Sequence, residues 1–448
     1  MQELAAGDRG TLFELGDVTA AELRHAAARM RAREGVLACI VGHSSLYVIW
    51  SVGQAILPVP DRQGCLSYTI PVLFDGEDLH KLPDIASRIA DLTLTARYLG
   101  FRAGFAYLDG WPAEWRLPRR ATSRPVARGS FAVAGAMAGF YPIDTPGGWN
   151  ILGRTNVTLW DPLREPPNLI APGDSIRIVP VMALPPPEPL LAAPEPSGDV
   201  IAEVIAPGQL TRIVGKRDWS RVESGVPPGG PFDDDAARAA NRSVGNCDDA
   251  ALLECVLVAP KLRFARPTRV GCWDGGRVYV ETVSELDLGR LKSLRGYIAV
   301  EGGVDEMRGR YVEEPTRLVR GMLLRGAGDR SGGMAAALQV LRSERLVIRV
   351  MPGPHRPHIE AIECEVTNQL DRVGIRLRPL SPVPPAPPDL PSYGMQCGTV
   401  QLHPDGSLVA MGPDHPVTGG YLQPMTVLST EIWKLAQLMP GERIRFVS

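Results

Sequence analysis

The chain has no stretch near the roughly 18 consecutive apolar residues that a membrane-spanning helix needs. It has no positively charged start followed by an apolar run either, so a cytoplasmic location is expected. A net charge of -2 over 448 residues leaves out the basic footprint of a nucleic-acid binder. The seven cysteines, from Cys39 to Cys397, form no Cys-x-x-Cys pair and no zinc-type spacing, so reduced, mostly buried thiols are expected. No Gly-x-x-x-x-Gly-Lys-Ser/Thr loop occurs, which excludes a P-loop nucleotide site. Nor does a carrier-type Met-Lys-Met, so any biotin must arrive on another chain.

What is present in quantity is glycine and proline, 47 and 42 residues, spread as turn punctuation between short apolar runs. That texture suits a mainly β protein, and the length favours several domains. The first 50 residues read as strand, helix and hairpin. Thr19 and Glu22 form a capping box for a helix to Arg33, and Gly35 can stop it. Leu79, Leu82, Ile85, Ile89 and Leu92 predict a second helical stretch within Gly76 to Ala96. Short strands follow, as in a closed barrel or sandwich. Prolines at 185, 186, 187, 189, 194 and 196 make 184–199 the domain boundary. The resulting division is 1–75 as an α/β N-terminal domain, 76–183 as a barrel, 184–199 as linker and 200–448 as a second half.

Two signatures stand out, Thr145-Pro-Gly-Gly-Trp-Asn-Ile-Leu-Gly-Arg-Thr155 and Pro416-Val-Thr-Gly-Gly-Tyr421. The first, with Gly100 to Leu108, Pro118-Arg-Arg120, Gly129 to Gly135 and Pro172-Gly-Asp174, resembles the first-subunit family of bacterial ATP-dependent 5-oxoprolinase. That family is also named allophanate hydrolase subunit 1 and sporulation-kinase inhibitor. The second, with Gly225-Val-Pro227, Gly230 to Asp233, Leu253-Glu254 and Gly398-Thr-Val-Gln401, resembles the second-subunit family. The two are fused here, as in the carboxyltransferase portion of urea carboxylase.

The resemblance implies a mainly β fold, with an α+β N-terminal domain and tandem cyclophilin-like β-barrel domains. It implies ATP-dependent opening of a cyclic amide, 5-oxoproline to glutamate, together with a third, separate subunit. Its alternatives are carboxyl transfer to a urea-like substrate from biotin on another chain, and a divergent member acting as a binding or regulatory protein or recruited as a biosynthetic enzyme. The family's Gln-Asp-x-Gly-Arg stretch is replaced by Val214-Gly-Lys-Arg-Asp-Trp-Ser-Arg221, and its Leu-Gly-Ser-Arg by Arg308-Gly-Arg-Tyr311. A histidine that the family often has before Tyr98 is missing.

The expected site is a composite cleft in which Gly147, Gly148, Trp149, Arg154 and Thr155 face Asp233, Asn241, Asn246, Gln401, Thr418, Gly419, Gly420 and Tyr421. Glu254 and Asp414 are the catalytic candidates. Arg154 offers a planar fork for a carboxylate or phosphate, or a fixed salt bridge. Trp149 reads as core packing ahead of a substrate platform. The paired glycines allow close backbone approach, or simply tight turns at a barrel rim. Glu254 lies in an apolar string, where burial raises its pKa or demands a partner. Asp233 doubles as a helix cap, and Asn241 and Asn246 as structural hydrogen-bonders. Asp414 precedes His415, a pair able to move protons near neutral pH. His355 and His358 read as a solvated loop, not a metal pair.

Overall fold

A computed structural model describes residues 2–51, 65–120, 122–189, 191, 198–306, 316–328, 345–359, 361–387 and 390–448. The 308–311 segment and much of the proline-rich linker lie outside them. Strands Gln2–Ala5, Gly10–Glu14, Ser45–Trp50 and Val36–Val41 form, in that order, an antiparallel sheet that carries helix Ala20–Arg31. The helix starts where the sequence predicts: Thr19 Oγ1 accepts from Glu22 N at 3.2 Å, and the Glu22 carboxylate accepts from Thr19 N at 2.8 Å. Gly35 turns the chain at φ +82°. Leu23 and Ala27 pack into one core with Phe13 and Val48, a core that runs on through Tyr98, Phe105 and Tyr107 of the next unit.

Two seven-stranded barrels follow with one topology. The first uses Ser67–Val72, Thr93–Leu99, Ala106–Asp109, Ser130–Ala134, Met137–Phe140, Asn150–Arg154 and Ser175–Pro180. Around the sheet these run first, seventh, second, third, fifth, fourth, sixth. Leu73 and Arg154 exchange backbone hydrogen bonds of 2.9 Å, which joins the sixth strand back to the first. The second barrel uses Val347–Pro352, Ala361–Leu370, Gly374–Pro379, Thr399–Leu402, Leu408–Met411, Leu422–Val427 and Arg443–Val447, closed in the same order. In each, the first and last strands pair in parallel. Strand Ser67–Val72, assigned by sequence to the domain before residue 75, thus belongs to the first barrel.

The predicted helix over Gly76 to Ala96 is only a 3-10 turn, Leu79–Lys81, and a short helix, Ile85–Arg88, before strand Thr93–Leu99 begins. Between the barrels lies an open sheet of seven strands, from Val200–Ala206 to Leu323–Arg325. Helix Asp234–Ser243 packs on it through Ala236, Ala237 and Ala240, against Leu252, Trp273 and Tyr297. The second half is therefore a sheet unit plus a barrel. Among the described residues no helix is long and apolar enough to cross a membrane.

Candidate functional site: a cleft between two equivalent loops

The shared topology places the two sequence signatures at equivalent points. Gly147-Gly-Trp149 leads into the sixth strand of the first barrel at Asn150, and Gly419-Gly-Tyr421 leads into the sixth strand of the second at Leu422. Each loop is preceded by a short two-stranded ladder, Thr145–Gly147 with Arg124–Val126 and Thr418–Gly419 with Tyr393–Gly394. The loops meet at one cleft of about 480 Å³, lined by Gly148 and Trp149 on one side and by Gln401, Thr418, Gly419, Gly420 and Tyr421 on the other.

A seam of short contacts fixes the two sides. Thr418 Oγ1 accepts from the Phe101 backbone N–H at 3.0 Å, with Phe101 held at φ +63°. A Cβ on Gly100 would stand 2.0 Å from that same oxygen, so glycine is required for the approach. A Cβ on Gly147 would fall 2.2 Å from the Tyr141 hydroxyl, and one on Gly419 2.8 Å from Gln401 Nε2. These glycines serve close packing around the cleft.

The walls are aromatic. Tyr98 and Tyr107 stack at 4.3 Å, and Trp149 meets Phe105 and Tyr107 edge-on at 5.4 and 5.6 Å. Trp149 thus packs on the core and lines the cleft at once. Tyr421 is stacked on His403 at 4.1 Å, and the Arg119 guanidinium lies 5.6 Å from its ring centre. Burial pushes His403 down to about 4, so it is a neutral ring at pH 7. Burial also lifts the Tyr107 phenol above the usual tyrosine range, against hydrogen bonds to Ser392 and Thr418.

Two charged groups and one switchable group line this cleft. Arg116 and Arg119 come from the loop after the third strand of the first barrel, and among the described residues no carboxylate pairs with Arg119. The equivalent loop of the second barrel contributes Leu390, Pro391 and Ser392, so the cleft is cationic at one end and uncharged at the other. His43 reaches in from the hairpin of the N-terminal unit. Its backbone is clamped: its N–H donates to Ser392 O at 2.9 Å, and its carbonyl accepts from Arg97 Nε at 2.6 Å. Burial, with help from Arg97 and against Asp109, lowers the imidazole pKa below its usual 6.5. Sequence reasoning missed His43, Tyr98, Tyr107 and Arg119 as site residues, although Arg119 lies in the Pro118-Arg-Arg120 run.

The other candidates stand elsewhere. Arg154 is exposed and paired with Asp75 at 2.8 Å, so Arg154→Ala should leave turnover within about twofold and cost at most about 1 kcal/mol of stability, read by parallel assay and urea unfolding. Thr155 is buried, its hydroxyl accepting from Val157 N at 3.2 Å. Asp233 caps helix Asp234–Ser243 by accepting from Ala236 N at 3.1 Å. Asn241 donates to Ala250 O, and Asn246 donates to Val300 O and accepts from Gly302 N, all within 2.9 Å.

Glu254 and Asp414 do come together, but around Arg372 and away from the cleft. Arg372 donates to both Asp414 oxygens at 2.7 and 2.8 Å and to Glu254 Oε1 at 2.8 Å. Glu254 Oε2 also accepts from Phe232 N and Tyr297 Oη. Burial acts to raise its pKa, yet Arg372 and Arg295 together with these hydrogen bonds hold it below the usual carboxylate range. Burial of Glu254 is thus met by a partner, Arg372. The expected Asp414–His415 couple does not form either: Asp414 turns to Arg372, while His415 bonds the Pro416 carbonyl and is pushed by burial to about 4. His355, with Nδ1 accepting from Gln423 N at 3.1 Å, is pinned and half-buried, whereas His358 is exposed.

Residues 224–448 match the family described as Carboxyltransferase domain, subdomain A and B, and residues 1–170 match Carboxyltransferase domain, subdomain C and D. Relatives include the B-type component of 5-oxoprolinase from Escherichia coli O157:H7, 39% identical over 123 residues, covering 25% of this chain and 56% of that protein. The C-type component from Escherichia coli strain K12 is 27% identical over 286 residues, covering 55% of this chain and 90% of that protein. Across the B-type relatives, the chain spans about half to two-thirds of their length. The crystal structure of TTHA0988 superposes with a TM-score of 0.82 at 27% identity, over 98% of this chain and all of that one. The chain belongs to the carboxyltransferase-domain family, as a fusion of a half like the B-type component of 5-oxoprolinase with a half like its C-type component.

Proposed function

We propose that the inter-barrel cleft binds a small cyclic amide bearing a carboxylate, of the 5-oxoproline type, and that the chain takes part in its ATP-dependent opening with a third subunit. The carrying observation is the polarity of the cleft. Arg119 suits the carboxylate, the Trp149 ring suits the flat face of a small ring, and Gln401 offers both a donor and an acceptor to an amide.

His43 is the proton acceptor in this reading. A water oxygen bonds to the amide carbon and passes a proton to the neutral imidazole. The ring C–N bond then breaks, and the imidazolium returns the proton to the departing nitrogen. Amide resonance leaves the carbonyl a poor electrophile, so activation must come from outside this chain. The residues here do not fit a triphosphate. The N-terminus of helix Ala20–Arg31 is filled by its own capping box, and that of helix Asp234–Ser243 carries Asp233, Asp234 and Asp235. ATP is therefore assigned to the partner.

The rewritten 214–221 segment supports no objection to this reading, because Gly215, Lys216, Arg217 and Trp219 line a different cleft. The test is 5-oxoproline-dependent ATP hydrolysis by this protein with its third subunit. Silence with a third subunit that is active beside another pair of the first two components sinks the reading. Because His43 acts as a neutral base, kcat/KM should fall as pH drops through its depressed pKa, below 6.5. His43→Gln should lose about 100-fold in rate and that acid limb together, measured as a pH profile.

A further inference from the structure

We propose that a second cleft, between the N-terminal unit and helix Asp234–Ser243, binds a small organic anion carrying one phosphate or carboxylate on a planar ring. This goes beyond the cyclic-amide reading and requires neither turnover nor a partner. The cleft measures about 490 Å³, as large as the first and of nucleotide size. Arg9 and Leu37 come from the N-terminal unit, and Lys216, Trp219 and Ala237 from the second half.

Arg217 builds the wall. Its guanidinium donates to Gly229 O at 2.7 Å, to Pro231 O at 2.6 Å and to Asp234, which pins the 214–221 segment across the mouth of the helix. Trp219 is left half-buried, with Leu37 beside it in one apolar cluster, a flat surface for a ring.

Charge pairing then isolates one cation. Asp234 is held by Arg217, Asp249 by Lys216 at 3.3 Å, Asp248 by Arg242, and Arg238 by Asp235. Among the described residues no carboxylate pairs with Arg9, and its Nε is buried without a hydrogen-bond partner. A buried donor of this kind is destabilising until an acceptor arrives, and a guanidinium takes phosphate or carboxylate through two parallel bonds. With the cleft's three aspartates each paired to a cation and Arg238 paired to Asp235, Arg9 is left to balance one anionic group, which favours a single phosphate or carboxylate over a triphosphate.

The test is titration calorimetry of the purified full chain, without divalent metal, using AMP, ATP, inorganic phosphate and benzoate. AMP should bind one to one and more tightly than ATP or inorganic phosphate, and saturating 5-oxoproline should not displace it. Saturable benzoate binding without AMP binding would assign the carboxylate form. Arg9→Gln should weaken binding at least tenfold, with Arg9→Lys recovering only part. Trp219→Leu, which leaves Arg9 in place, should weaken it at least fivefold. The proposal fails if neither AMP nor benzoate binds at millimolar concentration, if ATP binds more tightly than AMP, or if folded Arg9→Gln or Trp219→Leu protein binds as the wild type does.

Discussion

An Arg372→Met protein should lose about 3–5 kcal/mol of folding stability, because the substitution strands two carboxylates that the fold has already removed from water. Arg372 is 5% exposed, and its side chain accounts for bonds to Asp414, to Glu254 and to the Gly230 carbonyl. Glu254 stands on strand Leu252–Val258 of the open sheet, whereas Arg372 and Asp414 belong to the second barrel. The cluster is thus a weld between two units. Urea unfolding followed by the second half's fluorescence would measure it, and a loss below about 1 kcal/mol would remove Arg372 from that role. The same weld gives a pH dependence of known sign. Glu254 has a folded pKa below its usual 4.5, so its contribution is present above that value and is lost as pH falls through the depressed one. In Arg372→Met the acid sensitivity should therefore shrink.

That weld was not legible in the sequence. Glu254 was visible as a carboxylate in an apolar string, but its partner lies 118 positions away, and Arg372 is 42 positions from Asp414. Spacing carries no information over such distances. Local signals did better. Thr19, Glu22 and Gly35 delimit a helix because capping is a matter of neighbouring backbone groups. The two Gly-Gly-aromatic runs were legible as signatures, but what requires glycine at 147 and 419 is close packing against Tyr141 and Gln401, which lie outside each run.

Where local and tertiary preferences compete, the local reading failed. The apolar spacing from Leu79 to Leu92 is helical, yet Asp78 pulls the segment onto the sixth strand by accepting from Ile151 N at 2.9 Å and from Lys81 and Arg120 at 2.8 and 3.2 Å. Lys81 and the Ile151 N–H, with the Arg124 guanidinium, hold its pKa down to about 2, against the effect of burial. His43 illustrates the other kind of miss. It is a turn residue in a hairpin, and only docking of the N-terminal unit onto Ser392 brings it to the cleft.

Removing the Arg119 guanidinium should lower kcat/KM for 5-oxoproline about 10- to 100-fold, the range expected for losing a hydrogen bond to a charged group worth about 1.5–3 kcal/mol. The effect should appear chiefly in KM, because the carboxylate is distant from the bond that breaks and is held equally before and during reaction. Stability should change little: Arg119 is exposed and engages its surroundings through the Tyr421 ring at 5.6 Å. Arg119→Lys keeps the charge but not the fork, so it should recover only part of the affinity. A substrate analogue in which the carboxylate is replaced by a neutral amide gives the complementary measurement. If Arg119 binds the carboxylate, the analogue should be as poor with the wild type as 5-oxoproline is with Arg119→Ala, and the two changes together should add little. Full additivity would mean that Arg119 acts on something else, for instance by fixing Tyr421 between itself and His403. A Tyr421→Phe protein would then serve as reference, since it keeps the stacked ring and leaves any carboxylate contact to Arg119 alone.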